Sequence, residues 1–281
     1  MFIPEHLPTL RDPVMIAAFE GWNDAGESAT GAINHLLTVW NHQEITRLNP
    51  EDYYDFQVNR PYIKVDERVF REIIWPNTIL YAVYAPNLKH DFLIVKGIEP
   101  SIRWPSFARE ILDFADDYEV SMLITLGALL ADTPHSRPIS VTGSGAHPDV
   151  AQKLGVEISR YEGPTGIIGV LQDAAHRREL DAVSLWAAVP HYVSAPPSPK
   201  ASLALINALE DFLDISIAQG DLPQRAIEWE KQVNQMAAED SEIAEYVKQL
   251  ETSKDAAELP GVTGESIARE VERFLRRNPE I

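Results

Sequence analysis

Runs of almost wholly apolar residues, each followed by a segment with helical spacing, constrain the fold of this chain most strongly. The first run covers residues 14–19, and Ala29, Ile33, Leu36 and Trp40 then recur three or four residues apart. An apolar strand of this kind is typical of a parallel sheet covered by helices on both faces. Similar runs lie at 78–85, 92–96, 121–126 and 182–189. Their alternation with helical segments predicts an α/β fold, a three-layer α/β/α sandwich with a mixed, mainly parallel sheet.

A different pattern separates the first helical segment from the second strand. Apolar and charged residues alternate over 62–70, on both sides of Asp66 and Glu67. Period-2 alternation around a short polar turn predicts a β-hairpin with one solvent-exposed face. We expect this hairpin region to contribute the antiparallel part of the mixed sheet.

The chain becomes helical from about residue 199 to its end. Trp229, Val233, Met236, Ile243, Val247 and Leu250 follow a heptad-like spacing that is interrupted at Asp240. Asp240 and Ser241 could instead cap a new helix, which would make a helical hairpin. A last helix is predicted around Ile267, Val271 and Phe274. We therefore expect an α/β core domain over 1–220 and a helical extension over 221–281, packed on the core or at an oligomer interface.

Composition excludes several classes of function. The 281 residues include 24 basic and 43 acidic side chains, a net charge of −19, and no cysteine. Such a charge repels nucleic-acid phosphates and anionic membrane surfaces, so we expect neither as a partner. The lack of cysteine removes disulfides and thiolate chemistry. The first residues have neither the basic start nor the apolar run of a signal peptide, which favours a soluble, cytoplasmic protein.

The turn after the first strand has the glycine spacing of a phosphate-binding P-loop. Gly21 and Gly26 are followed by Glu27 and Ser28. A P-loop needs lysine where this chain has Glu27, and a carboxylate there repels phosphate. A nucleoside triphosphate is therefore not expected at this turn. The alternative interpretation is a tight turn in which Asp24 helps to cap the next helix.

Ligands of open α/β sheets bind at the carboxyl ends of the strands, which defines a candidate crevice here. We expect a loop at 127–138, a strand at 139–142, and glycine-bearing turns before helices at 142–147 and 162–166. Helix N-termini at such turns can hold a carboxylate or phosphate. The candidate crevice residues are Glu20, Gly21, Trp22, Asp24, Gly26, Glu99, Gly127, Thr133, His135, Gly143, Ser144, Thr165 and His191.

The histidines do not indicate a metal site. Eight of them are scattered along the chain, and no H-E-x-x-H or similar ligand spacing occurs. A convergence of Asp132, His135 and His191 with Glu99 stays open from the sequence. We predict no metal, no cofactor and no serine-nucleophile elbow, so catalytic residues stay unassigned.

Four segments carry a resemblance to a known family. They are Phe-Glu-Gly-Trp-Asn-Asp-Ala-Gly at 19–26, Gly-Ile-Glu-Pro at 97–100, Leu-Gly-Ala at 126–128 with Thr-Pro-His at 133–135, and Tyr-Glu-Gly-Pro-Thr-Gly at 161–166. Over about residues 10–215 the chain resembles the proteasome assembly chaperone 2 family, in its actinobacterial and archaeal branch. The resemblance implies the phosphorylase/hydrolase-like fold and an oligomer. It also implies kinship with eukaryotic assembly chaperones for proteasome α-subunits.

Two hypotheses of function follow. The first is an oligomeric interaction protein, a homotrimer by the resemblance, that is assembly-chaperone-like, has a protein partner and has no complete catalytic constellation. The second is a small-molecule binder or a hydrolase/phosphorylase-type enzyme that uses the candidate crevice. In that case a carboxylate or histidine would act as general base, and the glycine turns would hold an anion.

Overall fold

A computed structural model describes residues 8–67, 69–145, 147–193 and 195–258. Its strands are β1 (Val14–Glu20), β2 (Asn41–Arg47), β3 (Tyr62–Val65), β4 (Arg71–Ile74), β5 (Thr78–Tyr84), β6 (Phe92–Ile98), β7 (Met122–Ala131), β8 (Val141–Gly145), β9 (Glu157–Ile158) and β10 (Ala182–Pro190). Its helices are α1 (Ser28–Val39), α2 (Pro50–Tyr53), α3 (Trp104–Asp117), α4 (Pro148–Leu154), α5 (Ile167–His176), α6 (Pro199–Leu213), α7 (Leu222–Glu239) and α8 (Ser241–Glu258).

Eight strands form one sheet in the order β2-β5-β6-β1-β7-β10-β8-β9. β1 pairs in parallel with β6 and with β7, and β8 pairs in parallel with β9. β5 is antiparallel to both β2 and β6. The mixed, mainly parallel sheet and its helices confirm the predicted α/β fold with a helical C-terminal segment.

The predicted hairpin exists, but it does not belong to the main sheet. β3 and β4 pair with each other in a separate two-stranded sheet, and β2 and β5 supply the antiparallel part of the main sheet. The prediction of a single exposed face was also wrong. The register sets Tyr62 opposite Ile74 and Ile63 opposite Ile73, so apolar side chains stand on both faces. All of β3 and three of the four residues of β4 are exposed.

The first of two compact units comprises the described residues of Met1–Asn23, Trp40–Thr125 and Ser144–Ser184. Its core contains Phe19 of β1, Phe107 of α3 and Leu171 of α5. The rings of Phe19 and Phe107 meet edge to face at 5.7 Å. Ile16, on the opposite face of β1 from Phe19, is also buried, as expected of a strand with both faces covered.

The second compact unit comprises the described residues of Asp24–Val39, Leu126–Gly143 and Leu185–Ile281. Asp240 ends α7, and its carboxylate accepts hydrogen bonds from the backbone nitrogens of Glu242 (2.9 Å) and Ile243 (3.3 Å). This cap starts α8, so the helical hairpin is the correct alternative. The predicted last helix around residues 267–274 lies outside the described residues, and the division at residue 220 stays a prediction.

Two boundaries differ from the sequence prediction. β7 extends to Ala131, so Gly127 lies in a strand and not in a loop. A Cβ at Gly127 would lie 2.6 Å from the ring of Trp186, which shows that this glycine makes room for an aromatic side chain. β8 includes Gly143 and Ser144, so the first predicted glycine turn is strand. Among the described residues, no helix has both the length and the apolar character needed to cross a membrane.

Candidate functional site

In the first unit, the ends of β1 and β6 bring Glu99 next to the turn that follows β1. The two strands are parallel and in register from Val14 opposite Phe92 to Glu20 opposite Ile98. The backbone nitrogen of Glu99 donates to the carbonyl of Glu20 at 2.8 Å. The predicted juxtaposition of these two residues is therefore a consequence of strand register.

The Glu99 carboxylate caps helix α5. Its Oε1 accepts hydrogen bonds from the backbone nitrogen of Ile167 and from Nδ2 of Asn23, both at 2.9 Å. Ile167 is the first residue of α5, where backbone N–H groups have no partner within the helix. The positive end of the helix dipole favours a negative charge at this place. The carboxylate of Glu99 thus occupies the helix N-terminus that follows the turn at 162–166, where the sequence predicted that an anionic ligand could bind.

Glycines allow this close packing. A Cβ at Gly166 would lie 2.1 Å from the amide of Asn23, which is buried. Gly21 has a φ of +124°, and a Cβ there would lie 3.3 Å from Cβ of Glu99. Trp22, which stands between Gly21 and Asn23 in the chain, is 63% exposed.

The structure places three other candidate positions in side-chain packing or in a strand. Thr165 packs against Gly169, where a Cβ would lie 2.1 Å from its hydroxyl oxygen. Ser144 pairs with Glu157 in the short β8–β9 ladder. Gly143 lies in the same strand β8, within the second unit.

In the second unit, Asp24 caps helix α1, as the alternative interpretation of the turn predicted. Its Oδ1 accepts hydrogen bonds from the backbone nitrogens of Ala29 (2.7 Å) and Thr30 (3.2 Å), and its Oδ2 accepts one from the Thr30 hydroxyl. Gly26 has a φ of +62°, and a Cβ there would lie 2.9 Å from Cβ of Ser198. In this turn the Asp24 carboxylate occupies the N-terminus of α1, and Ser198 packs against Gly26.

His135 is buried, and it lies at the centre of a partly buried hydrogen-bond network in the second unit. The Tyr192 hydroxyl accepts from the backbone nitrogen of His135 at 2.8 Å, so its own proton points to Nδ1 at 2.7 Å. Nε2 then carries the ring proton and donates to Oδ1 of Asn234 at 3.1 Å. Burial lowers the pKa of His135 and raises the pKa of Tyr192 to about 12, so both side chains are neutral at pH 7.

The same loop holds the helical hairpin by charged contacts. Lys200 Nζ bonds the carbonyl oxygen of His135 and Oε2 of Glu230 on α7, both at 2.5 Å. Arg137 pairs with Asp255 at 2.8 Å and with Glu251 at 3.3 Å, both on α8. The predicted loop residues therefore anchor helices of the C-terminal segment.

His191 belongs to an aromatic cluster in the second unit. Its Nδ1 lies 3.2 Å from Oδ1 of Asp132, and the Tyr246 hydroxyl donates to the same oxygen at 3.1 Å. The rings of His191 and Tyr246 meet edge to face at 5.5 Å. Thr133 is buried nearby in the chain, and its nitrogen donates to the carbonyl of Ala131 at 2.9 Å. Within the described residues, no three His, Cys, Asp or Glu side chains are grouped to hold a metal ion.

The β3–β4 hairpin of the first unit exposes a large apolar surface. We call this surface the hairpin patch and define it by Val58, Tyr62, Ile63, Val65, Val69, Phe70, Ile73 and Trp75, which are 44–78% exposed. Single exposed apolar residues are common, but eight of them within residues 58–75 make this hairpin a candidate interaction site.

A groove in the first unit follows the edge strand β2. Its volume is 490 Å³, and residues 44–50 line it. β2 is at the end of the strand order and bonds to β5 on one side. Thr46 is buried, and within the described part of the chain its hydroxyl has no hydrogen-bond partner. The groove therefore combines an open sheet edge with an unsatisfied polar atom.

The sequence did not indicate several residues that form the Glu99 cap and the His135 network. Asn23 lies inside the glycine-rich segment, and its amide character was the one available signal. Tyr192 and Asn234 are 57 and 99 residues from His135 in the chain. No local spacing could indicate that they share one network.

The fold and these turns place the chain among α/β proteins with a mixed, mainly parallel sheet, and a family model refines this class. The model of the PAC2 family matches residues 18–237. The chain belongs to the PAC2 family. A search of the curated proteins gives no match.

Solved structures agree with the family. The chain is similar to a PAC2 family protein from Streptomyces avermitilis, with 53% identity and a TM-score of 0.78, covering 84% of this chain and all of that one. It is also similar to a proteasome-assembly chaperone homologue from Mycobacterium tuberculosis, with 46% identity and a TM-score of 0.76, covering 83% and 99%. An archaeal proteasome activator from Pyrococcus furiosus, 20% identical with a TM-score of 0.65 over 82% and 96%, shares the fold.

Proposed function

We propose that this chain is a homo-oligomeric, cytoplasmic interaction protein that acts in the assembly of another protein complex. A trimer is the oligomer we propose. The hairpin patch is the observation that carries the proposal, because exposed apolar side chains of this kind are typically covered by a partner protein.

The instability of an isolated hairpin supports the same function. A two-stranded ribbon is marginally stable in water by itself. β3 and β4 form a sheet of two strands, with Tyr62 and Ile63 more than half exposed. Contact with another protein would bury these side chains and stabilise the ribbon.

The similarity to a proteasome-assembly chaperone homologue supports the choice of partner class. That protein and this chain share 46% identity over 83% of this chain. We therefore propose proteasome subunits as the client proteins. The net charge of −19 is compatible with basic or neutral protein surfaces and opposes nucleic acid.

Sedimentation equilibrium of the full chain at micromolar concentration tests the oligomer. The proposal predicts a mass that is a multiple of 31.5 kDa, with three copies for the trimer. A monomer at every concentration would contradict it.

Reconstitution tests the assembly role. Purified proteasome α and β subunits of the source organism are mixed with and without this protein, and particle formation is followed by native gel electrophoresis. The proposal predicts a change in the rate or yield of particles and a complex with free subunits. An unchanged time course together with no complex would contradict the assembly role and leave the oligomer intact.

The alternative of a small-molecule binder or enzyme stays a prediction. Glu99, Asp24 and His135, which it would use, each hold partners within the chain. A thermal-shift screen with nucleosides, nucleotides, divalent metals and peptides tests it, because a specific ligand raises Tm. A ligand that raises Tm for wild type but not for a crevice variant would favour the alternative.

A further inference from the structure

We infer that the β3–β4 hairpin of one copy docks along the β2 edge of a second copy of this chain. The contact is heterologous, since two different surfaces of the same unit meet, and it closes into a ring or continues as a chain of copies. This inference deepens the proposed oligomer and rests on it.

The hairpin brings unpaired strand edges and exposed side chains. β3 pairs with β4 over four residue pairs, so each strand has one outer edge within this two-stranded sheet. Open edges present N–H and C=O groups that pair readily with another strand. Tyr62, Ile63 and Phe70 are 63%, 52% and 71% exposed beside these edges.

The β2 edge offers the complementary half. Strand addition to an open sheet edge supplies backbone hydrogen bonds, and adjacent pockets accept side chains. The 490 Å³ groove lined by residues 44–50 lies along this edge.

Charge favours a copy of this chain as the occupant. Residues 60–75 carry four basic and three acidic side chains, a local net charge of +1 in a chain of −19. A slightly basic hairpin is attracted to the acidic surface of another copy. Glu44 and Arg47, which both line the groove, already form an ion pair with each other at 2.6 Å, so the attraction comes from the overall negative charge of the second copy and not from a single carboxylate at the edge.

The exposed apolar area of the hairpin is comparable with the area of a specific contact. With aromatic side chains of 150–250 Å², the hairpin patch exposes roughly 800 Å². One partner of a standard protein interface contributes about the same area. Because these side chains stand on both faces of the hairpin, one docked copy covers only part of this area.

Two variants separate the two surfaces. Ile63→Asp/Ile73→Asp places charges on a cross-strand pair of the hairpin and leaves β2 intact. Gln43→Lys/Glu44→Lys adds positive charge to the β2 edge and leaves the hairpin intact. Ile227→Asp, at a residue of α7 that is 51% exposed, is the matched control. Circular dichroism and thermal unfolding establish that each variant is folded.

Sedimentation gives the expected result for each variant alone. The hairpin variant and the edge variant should both fall to the 31.5 kDa monomer, with self-association weakened by about 100-fold or more. The Ile227→Asp control should keep the wild-type mass. If the hairpin variant is monomeric while the edge variant keeps the wild-type mass, the β2 edge is not the docking site and the inference fails.

Mixing the two monomeric variants is the decisive step. The intact hairpin of the edge variant can dock on the intact β2 edge of the hairpin variant, so a 1:1 complex of two chains should form. A hairpin-to-hairpin contact cannot be restored by mixing, and a failure to form the complex overturns the inference. An oligomeric wild type in that case leaves the proposed function standing, whereas a monomeric wild type contradicts both.

Discussion

Oε1 of Glu99 lies 2.9 Å from the backbone nitrogen of Ile167, so a side chain that follows strand β6 caps helix α5. The sequence indicated a helix N-terminus ready for an anion at this turn. In the structure the carboxylate of Glu99 occupies this N-terminus, so the candidate ligand site is a helix cap.

Glu99→Gln keeps the shape of this cap and removes its charge. We expect a loss of about 1 kcal/mol in the free energy of unfolding, because the helix dipole then meets a neutral amide. Glu99→Ala should cost about 2 kcal/mol, since the buried amide of Asn23 also loses its partner. Urea unfolding measures both values. Equal stability of Glu99→Ala and wild type would refute the capping role.

Formate should partly restore the Glu99→Ala variant. A small carboxylate can occupy the vacated place at the N-terminus of α5. We expect formate to raise the Tm of this variant more than that of wild type, with chloride at equal ionic strength as the control. An equal response of the two proteins would show that the carboxylate is not replaceable.

Asp24→Ala should destabilise the chain by about 2 kcal/mol, because two backbone nitrogens at the start of α1 lose their acceptor. Glu27→Gln is the matched control, since Glu27 is exposed in the same turn and its replacement should change stability by less than about 0.5 kcal/mol. Denaturant titration distinguishes them. Similar losses for both variants would show that the turn responds to any change of charge.

The free energy of unfolding should decrease as the pH is lowered below 6.5, because His135 takes up a proton less readily in the folded chain than in the unfolded chain. Burial lowers the pKa of this imidazole below its ordinary value of 6.5, so the unfolded chain takes up the proton first as the pH falls. The stabilising contribution is complete above pH 6.5 and is lost as the pH falls toward the folded-state pKa.

The His135→Gln variant tests this assignment. Glutamine removes the titrating group, so Tm should depend less steeply on pH from 7 to 5 than in wild type. Tm is followed by calorimetry at constant ionic strength. Parallel pH profiles of the two proteins would assign the dependence to other groups.

Gly127→Ala should cost about 1–3 kcal/mol, because the new methyl group would overlap the ring of Trp186. Thermal unfolding measures the loss, and near-ultraviolet circular dichroism reports the displaced indole. An unchanged Tm would mean that the ring moves without cost.

Local patterns predicted the parts of the fold that depend on neighbours in the chain. The apolar run ending at Phe19 gave a strand buried on both faces, and Asp24 stood at the right distance to cap α1. The cap at Asp240 was one of two open alternatives, and its side-chain hydrogen bonds decide between them. Strand register, fixed by pairing and not by local spacing, then brought Glu99 to the end of β1.

The features that local patterns did not predict depend on packing between residues that are distant in the chain. Gly127 was expected in a loop because glycine favours turns, but a tryptophan 59 positions later needs the space. The hairpin alternation predicted a buried face, and the cross-strand register distributed Tyr62 and Ile63 over both faces instead. The partners of His135 come from two distant segments that no periodicity connects.

Hydrogen–deuterium exchange on the full-length chain tests the central claim, that the hairpin is covered by the β2 edge of another copy, most directly. The outer amides of β2, and those of the one hairpin strand that pairs with it, should exchange slowly in wild type at oligomeric concentration. The same amides should exchange rapidly in the monomeric Ile63→Asp/Ile73→Asp variant. Rapid exchange of the outer amides of both β2 and the hairpin in the wild-type oligomer would contradict the account.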